Sequence, residues 1–209
     1  MSSLEIYESF EKLKQNEEEE KDYRIHYRHG ISGILVMAPH GGGIEPGTTE
    51  IANAVAGKKH SFYSFEGLKP HGNLKLHITS RRFDEPIGVN LSESSETLLV
   101  IHGCKGEERV VYIGGRNRIL RQRVETSLIN ASFSVQEDPR FPGLHHRNIC
   151  NRGRLRMGVQ LEISIGLRRM MFHHISRIER KITTEFFNEF VMALKHGLSE
   201  YQELIRHLV

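Results

Sequence analysis

The chain has 209 residues with a formal net charge of +3, and 38% of its residues are hydrophobic. That apolar content can fill the core of one domain, so we expect residues 1–209 to form a single domain. No run reaches the roughly 18 apolar residues of a membrane span. The N-terminus lacks a signal-peptide pattern, so we expect synthesis in the cytoplasm and no membrane partner. Two cysteines, Cys104 and Cys150, are too few for a disulfide framework, and the sequence leaves open whether they are free.

Apolar runs predict seven strands, most of them buried on both faces of a sheet. In chain order they are residues 23–28, 34–38, 61–65, 75–79, 97–101, 110–113 and 159–163. Helical spacing of apolar residues predicts helices over 3–15, from Thr48 or Thr49 to Gly57, and over 116–129.

Two helices are predicted near the C-terminus. A capping-box pair, Ser176 and Glu179, indicates the start of the first, and Gly197 indicates its end. Ser199 and Gln202 form a second such pair. Alternating strands and helices favour an α/β fold, with a mainly parallel twisted sheet and helices on both of its faces. In such sheets ligands bind at the carboxyl ends of the strands.

Arginine is concentrated in one part of the chain. Residues 116–169 contain eleven arginines, no lysine and four acidic residues, which gives this segment a formal charge of +7. The planar fork of arginine suits carboxylates and phosphates better than the point charge of lysine does. The segment therefore predicts either an anionic ligand or a solvated face that only aids solubility.

Three candidate metal ligands lie at or near strand ends. His40 follows strand 34–38, His102 follows strand 97–101, and Glu45 lies five residues after His40 on a glycine-rich turn. Two histidines and one carboxylate are enough to hold a catalytic zinc that keeps its fourth position for water. A single histidine after a strand is more typical of a hydrogen-bonded cap. The metal hypothesis therefore rests on the combination of His40, Glu45 and His102.

Glu162 lies among apolar residues late in strand 159–163. A carboxylate there is costly to bury unless it is paired, protonated or functional. Beside a metal-activated water it would serve as general base and then as general acid. The alternative is a salt bridge to one of the many arginines.

Other chemistries have weaker signals. The glycine-rich turn could cradle a phosphate, but it lacks the G-x-G-x-x-G and Gly-Lys-Ser/Thr patterns, and Glu45 would repel the anion. No G-x-S-x-G elbow indicates a serine nucleophile. We expect Cys104, two residues after His102, to be a small buried residue.

Five segments follow one another in order along the chain. They read APHGGGIEPGT at 38–48, HITSRRFDEP at 77–86, VIHGC at 100–104, NICNRG at 148–153 and GVQLEI at 158–163. Taken together they resemble the phage-encoded poly-γ-glutamate hydrolases and their relatives in bacterial genomes. The resemblance implies a zinc-dependent hydrolase with a carboxypeptidase-like α/β core, which cleaves the γ-amide bonds of an anionic polymer that coats some bacteria.

The resemblance also implies roles for single residues. His40, Glu45 and His102 match the ligands of one zinc ion, and Glu162 matches the general base of the wider zinc-peptidase fold. The H-x-x-E spacing of ordinary zinc carboxypeptidases is absent, since His40 and Glu45 are two residues further apart. The Asn-Arg pair that binds a terminal carboxylate in those enzymes precedes their last zinc histidine. Here Asn151-Arg152 follows His102, so that role is not transferred.

Arginines are the candidate substrate contacts. Either Arg81 or Arg82 would stabilise the developing oxyanion. Arg152 and Arg168, from the arginine-rich segment, would bind the free α-carboxylates of the polymer.

Two other functions remain open: a zinc-dependent amidase of small N-acyl amino acids, and a non-catalytic polyanion-binding module. No recognised nucleic-acid motif is present, and we expect a monomer that does not bind nucleic acid. Release by cell lysis would bring the protein to a polymer outside the cell. The sequence leaves open internal or terminal cleavage, preference for D- or L-glutamate, and which arginines contact substrate.

Overall fold

Seven strands form one sheet in the computed structural model, which describes residues 6–208. In chain order they are β1 (Tyr23–Arg28), β2 (Ile34–Gly42), β3 (Ser61–Gly67), β4 (Thr97–Cys104), β5 (Val110–Gly115), β6 (Ser134–Gln136) and β7 (Val159–Ser164). Their order across the sheet is β1-β3-β2-β4-β7-β5-β6. Within it β1 is antiparallel to β3 and β5 is antiparallel to β7, while the other four pairs are parallel. The prediction of a mainly parallel sheet is confirmed.

Helices cover both faces of this sheet, as predicted. They are α1 (Phe10–Lys14), α2 (Thr48–Ala56), α3 (Pro86–Ser94), α4 (Arg118–Asn130), α5 (Ile165–Met170) and α6 (Glu185–Leu208). One hydrophobic core packs α2, α4, α5 and α6 against one face. A second core on the other face contains residues of α1, α3 and the segment 76–83. In the described part of the chain no helix has the length and apolar character needed to cross a membrane.

The predicted strand at 75–79 is wrong. Asn73–Leu76 forms a short 3-10 helix, which begins after Gly72 in the left-handed region at φ 76°. Leu76 and Ile78 are buried in the second core, so the alternation that resembled a strand reflects a folded segment that packs on the sheet.

One continuous helix occupies the C-terminus, where the sequence predicted two. The helix α6 begins at Glu185, after the predicted capping box, and continues through Gly197. A Cβ at Gly197 would lie 2.9 Å from the Cα of Val124 in α4. This glycine therefore allows close packing of two helices and does not end one.

The N-terminal helix is shorter than the predicted 3–15. It covers Phe10–Lys14, and the Ser9 side chain accepts a hydrogen bond from the backbone N–H of Lys12. Residues 3–5 of that prediction lie outside the described residues. No sequence-based prediction covered α3, α5 or β6.

The strands β2, β4 and β7 are neighbours at the centre of the sheet, and all three are parallel. Their carboxyl ends therefore meet at one edge, which is where ligands bind in sheets of this kind. His40 lies near the end of β2, and His102 in β4 is in register with Glu162 in β7. The fold thus brings three of the predicted site residues to one edge.

Candidate metal centre and active site

Three predicted ligands converge at this edge. The Nδ1 atom of His40 lies 3.1 Å from Oε1 of Glu45 and 3.1 Å from Nδ1 of His102. The same His102 atom lies 3.7 Å from Oε2 of Glu45. Donors arranged tetrahedrally at the Zn–N distance of about 2.0–2.1 Å would lie about 3.3 Å apart. The donor set and its spacing therefore fit a zinc ion.

Outer hydrogen bonds orient both imidazole rings. His40 Nε2 lies 2.8 Å from the carbonyl oxygen of Ile78, which can only accept, so this nitrogen is the donor. His102 Nε2 lies 3.2 Å from the hydroxyl of Ser80. A hydrogen bond at the outer ring nitrogen leaves the inner nitrogen, here Nδ1, available to bind a metal. Both histidines are buried, at 2% exposure each.

The turn after β2 brings Glu45 back to His40. The backbone N–H of Glu45 donates to the His40 carbonyl at 2.9 Å, and Gly42 adopts a positive φ of 63° that glycine tolerates without strain. The backbone N–H of Gly103 donates to Oε2 of Glu45 at 2.8 Å. Burial alone would raise the pKa of Glu45, but the charges and hydrogen bonds of His40 and His102 hold it well below its usual value. Glu45 is therefore a carboxylate anion, as a zinc ligand would have to be.

The structure adds a third histidine that the sequence did not single out as a ligand. The ring of His77 packs on that of His40, with centroids 3.9 Å apart, and its Nε2 lies 3.9 Å from Oε1 of Glu45. One donor atom from each of His40, Glu45 and His77 lies within 4.8 Å of the other two. The electrostatic effect of neighbouring His40, followed by burial, lowers the pKa of His77 to about 3, so His77 is neutral. Among residues 6–208, its buried Nδ1 has no hydrogen-bond partner.

Glu162 lies beside this cluster, in register with His102 on the neighbouring strand. Burial raises its pKa to about 7; His102 acts in the opposite direction, and the charge of Glu45 adds to the rise. A carboxyl group with a pKa near neutrality can both accept and donate a proton at physiological pH. The alternative of a direct salt bridge to arginine finds no support in the ion pairs of the described residues.

A groove of about 440 Å³ extends from Glu162. Basic side chains line it: exposed Arg81, Arg82 and Arg140, and half-buried His145. The sequence did not single out Arg140. Its guanidinium pairs with the Asp138 carboxylate through two nitrogens, at 2.6–3.0 Å, and lies 5.6 Å from the centre of the Tyr112 ring. These contacts hold one more cation at the groove.

Arg152 and Arg168 do not line this groove. Half-buried Arg152 donates to the carbonyl oxygens of Arg147 and Arg81, at 3.2 and 3.4 Å. Arg168 is buried at 3% exposure, and its three guanidinium nitrogens donate to the carbonyl oxygens of Ile163, Pro46 and Cys104. Arg168 thus joins the end of β7 to the turn that carries Glu45.

Both cysteines are free thiols. Cys150 is buried, and Cys104 is partly buried at the end of β4. Burial raises the pKa of Cys104 to about 11, so its reactive thiolate is scarce at neutral pH. This agrees with the expectation that Cys104 is no nucleophile.

Comparisons with known proteins identify relatives over most of the chain. The family model described as poly-gamma-glutamate hydrolase matches residues 7–193. The UPF0714 protein YndL of Bacillus subtilis is 37% identical over 189 residues, which cover 88% of this chain and 74% of YndL. The SPbeta prophage-derived UPF0714 protein YoqZ of the same organism is 36% identical over 198 residues, covering 93% of this chain and 72% of YoqZ.

Solved structures match the fold closely. A bacteriophage poly-gamma-glutamate hydrolase superposes with a TM-score of 0.93 at 33% identity, covering 96% of this chain and 99% of that one. The zinc-free apo form of YndL superposes with a TM-score of 0.89 at 36% identity, covering 93% and 98%. An N-formylglutamate amidohydrolase from Ralstonia eutropha, at 14% identity and a TM-score of 0.58, shares the fold.

These comparisons confirm the resemblance that the five sequence segments carry, the α/β fold that it implies, and the prediction of a hydrolase. They also bear out the link to bacteriophages. The chain belongs to the poly-gamma-glutamate hydrolase family.

Proposed function

We propose that the protein hydrolyses γ-glutamyl amide bonds of poly-γ-glutamate at one zinc ion held by His40, Glu45 and His102. The observation that carries the proposal is the convergence of these three donors, 3.1–3.7 Å apart, beside an arginine-lined groove with Glu162 at its base. The zinc-free description of the YndL structure supports zinc as the metal. The family supports the polymer as substrate.

A zinc ion held by His40, Glu45 and His102 would supply Lewis acidity, which would lower the pKa of water at the site to about 7 and polarise the scissile carbonyl. Glu162 accepts the proton of the attacking water on its carboxylate. It then donates that proton to the leaving nitrogen, which departs as an amine. The pKa of about 7 suits both steps, because the two protonation states are close in energy at neutral pH.

Arginines of the groove give the site its preference for an anionic chain. Arg81 or Arg82 would stabilise the negative charge that develops on the carbonyl oxygen. The remaining groove cations, Arg140 among them, would bind the α-carboxylates that every residue of the polymer carries. Arg152 and Arg168 would act indirectly, the first by holding the backbone of Arg81 and the second by holding the turn of Glu45.

The mode of action outside the cell belongs to the same proposal. We infer that the protein works as a monomer on polymer outside the cell and reaches it after lysis. The prophage-derived relative and the bacteriophage enzyme of the same fold support the inferred release by lysis.

Substrate choice tests the proposal against the small-molecule alternative. Zinc-loaded protein is incubated separately with poly-γ-glutamate and with N-acyl glutamates, and new amino groups are counted. We expect amino groups to accumulate with the polymer and not with the N-acyl glutamates. Turnover of the N-acyl glutamates alone would replace the proposal with an amidase of small substrates.

A further inference from the structure

A second basic pocket lies on the far side of the glycine-rich turn. Its volume is about 310 Å³, and it opens at the ends of β2 and β3 next to residues 177–181. Six charged side chains line it: Arg24, Arg177, Arg180, Lys181, Glu50 and Glu66. None of them belongs to the metal centre or to the groove beside Glu162.

Ion pairs neutralise only half of the cations of this pocket. Arg180 bonds Glu50, Nε to Oε1 at 3.1 Å, and Arg24 bonds Glu66, Nη2 to Oε2 at 2.7 Å. Exposed Arg177 donates to a backbone carbonyl, that of Leu68, at 2.6 Å. Exposed Lys181 has no ion pair within residues 6–208. The pocket therefore keeps an excess of two positive charges, which favours an anionic ligand.

Two polar side-chain atoms of residues that line this pocket have no hydrogen-bond partner in the described part of the chain. They are the Nε donor of Arg24 and the Oε2 acceptor of Glu50, and both are shielded from bulk solvent. Buried polar atoms without partners are uncommon in proteins and require an explanation. A ligand with an acceptor next to a donor would satisfy both after a side-chain adjustment of the kind that often accompanies binding. A γ-glutamyl residue has that pattern, because its α-carboxylate and its amide N–H are attached to the same carbon.

The pocket adjoins the metal centre through the turn of residues 41–47. Gly42 lines the pocket, and its carbonyl accepts from Nη2 of Arg180 at 3.2 Å. His40, directly before this turn, and Glu45, within it, face the metal centre. Along the carboxyl edge, β3 and β7 are three strand spacings apart, about 14 Å. An extended γ-glutamyl repeat spans five backbone bonds, or about 6 Å, so three repeats reach across this edge.

We propose that the pocket of Arg24, Arg177 and Lys181 is a second subsite for the α-carboxylates of poly-γ-glutamate. It lies across the metal centre from the groove of Arg81, so a polymer that occupies both is held on each side of the scissile bond. Such binding favours cleavage inside the chain over removal of end residues. This inference rests on the proposed function and names the way in which the same site would take its substrate.

The test compares two double variants in zinc-loaded E162Q protein, which keeps the polymer intact for a binding measurement. The subsite variant carries Arg177→Gln and Lys181→Gln. The control carries Arg118→Gln and Lys58→Gln, two exposed cations at the opposite edge of the sheet. Binding of fluorescent poly-γ-glutamate and of a labelled γ-glutamyl dipeptide is measured by anisotropy.

We expect the subsite variant to bind long polymer at least fivefold more weakly than the control variant, with dipeptide affinity unchanged within twofold. Equal polymer affinity of the two variants would overturn the proposal. So would a parallel loss of dipeptide affinity, because it would indicate a general change in charge or fold. Failure of the proposed function has a separate sign: zinc-loaded wild-type protein that leaves the polymer uncut, whatever the binding result.

Discussion

The Nδ1 atoms of His40 and His102 lie 3.1 Å apart, and both face the carboxylate of Glu45. Two imidazole nitrogens at this distance repel each other unless a proton or a cation lies between them. The outer nitrogens are held by Ile78 and Ser80, so the rings are aimed before any metal binds. Such prior orientation is the general role of the partners that surround a metal site.

The first prediction separates His102 from His77 as the third zinc ligand. We expect His102→Gln to weaken zinc binding beyond the roughly 10- to 100-fold that loss of an outer partner costs. His77→Gln should keep most of the zinc affinity, because the neutral His77 ring packs on His40 and lies further from Glu45. Zinc affinity is measured with a competing chelator. If His77→Gln weakens zinc binding more than His102→Gln does, His77 and not His102 is the third ligand.

Loss of the carboxylate in Glu162→Gln should abolish turnover without removal of the metal. General acid–base groups typically contribute about 10²- to 10⁴-fold, so we expect a fall in kcat of at least about 100-fold. Zinc content of the purified variant should equal that of the wild type, because Glu162 is no ligand. Cleavage of the polymer at a normal rate would show that another group is the base.

Arginines of the groove should contribute to polymer binding through charge. We expect Arg140→Gln to raise KM for the polymer several-fold with little change in kcat, because we assign Arg140 of the groove to the binding of α-carboxylates and not to the reacting bond. Rising salt should also raise the wild-type KM, because salt screens the exposed charges that bind the polymer. Arg118→Gln, at the opposite edge of the sheet, is the matched control. A KM that neither the substitution nor salt changes would contradict the role of the groove.

Buried His60 predicts a pH dependence of stability far from the metal centre. Burial, followed by the charges of Lys59 and Lys195, lowers its pKa from 6.5 to about 4. The folded state therefore favours neutral His60. The stability that neutral His60 contributes to the folded state is present above pH 6.5 and is lost as the pH falls toward 4. The loss is about 3 kcal/mol in the free energy of unfolding.

Urea unfolding of chelated protein at pH 7 and pH 4.5 measures this contribution. In the wild type, His60 Nδ1 and the Ser32 hydroxyl are 2.7 Å apart. His60→Asn keeps a polar partner for Ser32 but does not titrate. We expect the drop in stability between the two pH values to be smaller in the variant by about 2 kcal/mol. An identical drop in both proteins would refute the assignment to His60.

The metal centre could be predicted in part because parallel strands bring their carboxyl ends together. His40 and His102 each follow an apolar run, and the glycines before Glu45 indicate a tight turn. These local signals are enough to predict that the three side chains meet. The register of β4 with β7, which puts Glu162 beside His102, depends on pairing between distant segments, and no local pattern encodes it.

Roles that depend on long-range contacts were not predicted, for the same reason. His77 lies in a segment whose alternation resembles a strand, although tertiary packing folds it into a 3-10 turn. Arg168 is an arginine of the basic segment by sequence, yet its guanidinium is buried on three carbonyls. Gly197 is of a residue type that often ends a helix, but here α4 packs against it within a continuous helix. In each case the deciding partner is far away in the chain.

The size distribution of poly-γ-glutamate tests the central claim most directly. Polymer is incubated with native protein, with chelated protein and with chelated protein to which zinc is restored, and is then separated by size. We expect long polymer to disappear with the native protein, to persist with the chelated protein and to disappear again when zinc returns. Unchanged long polymer in the zinc-restored sample would contradict the account of His40, Glu45 and His102 as the zinc site of a polymer hydrolase.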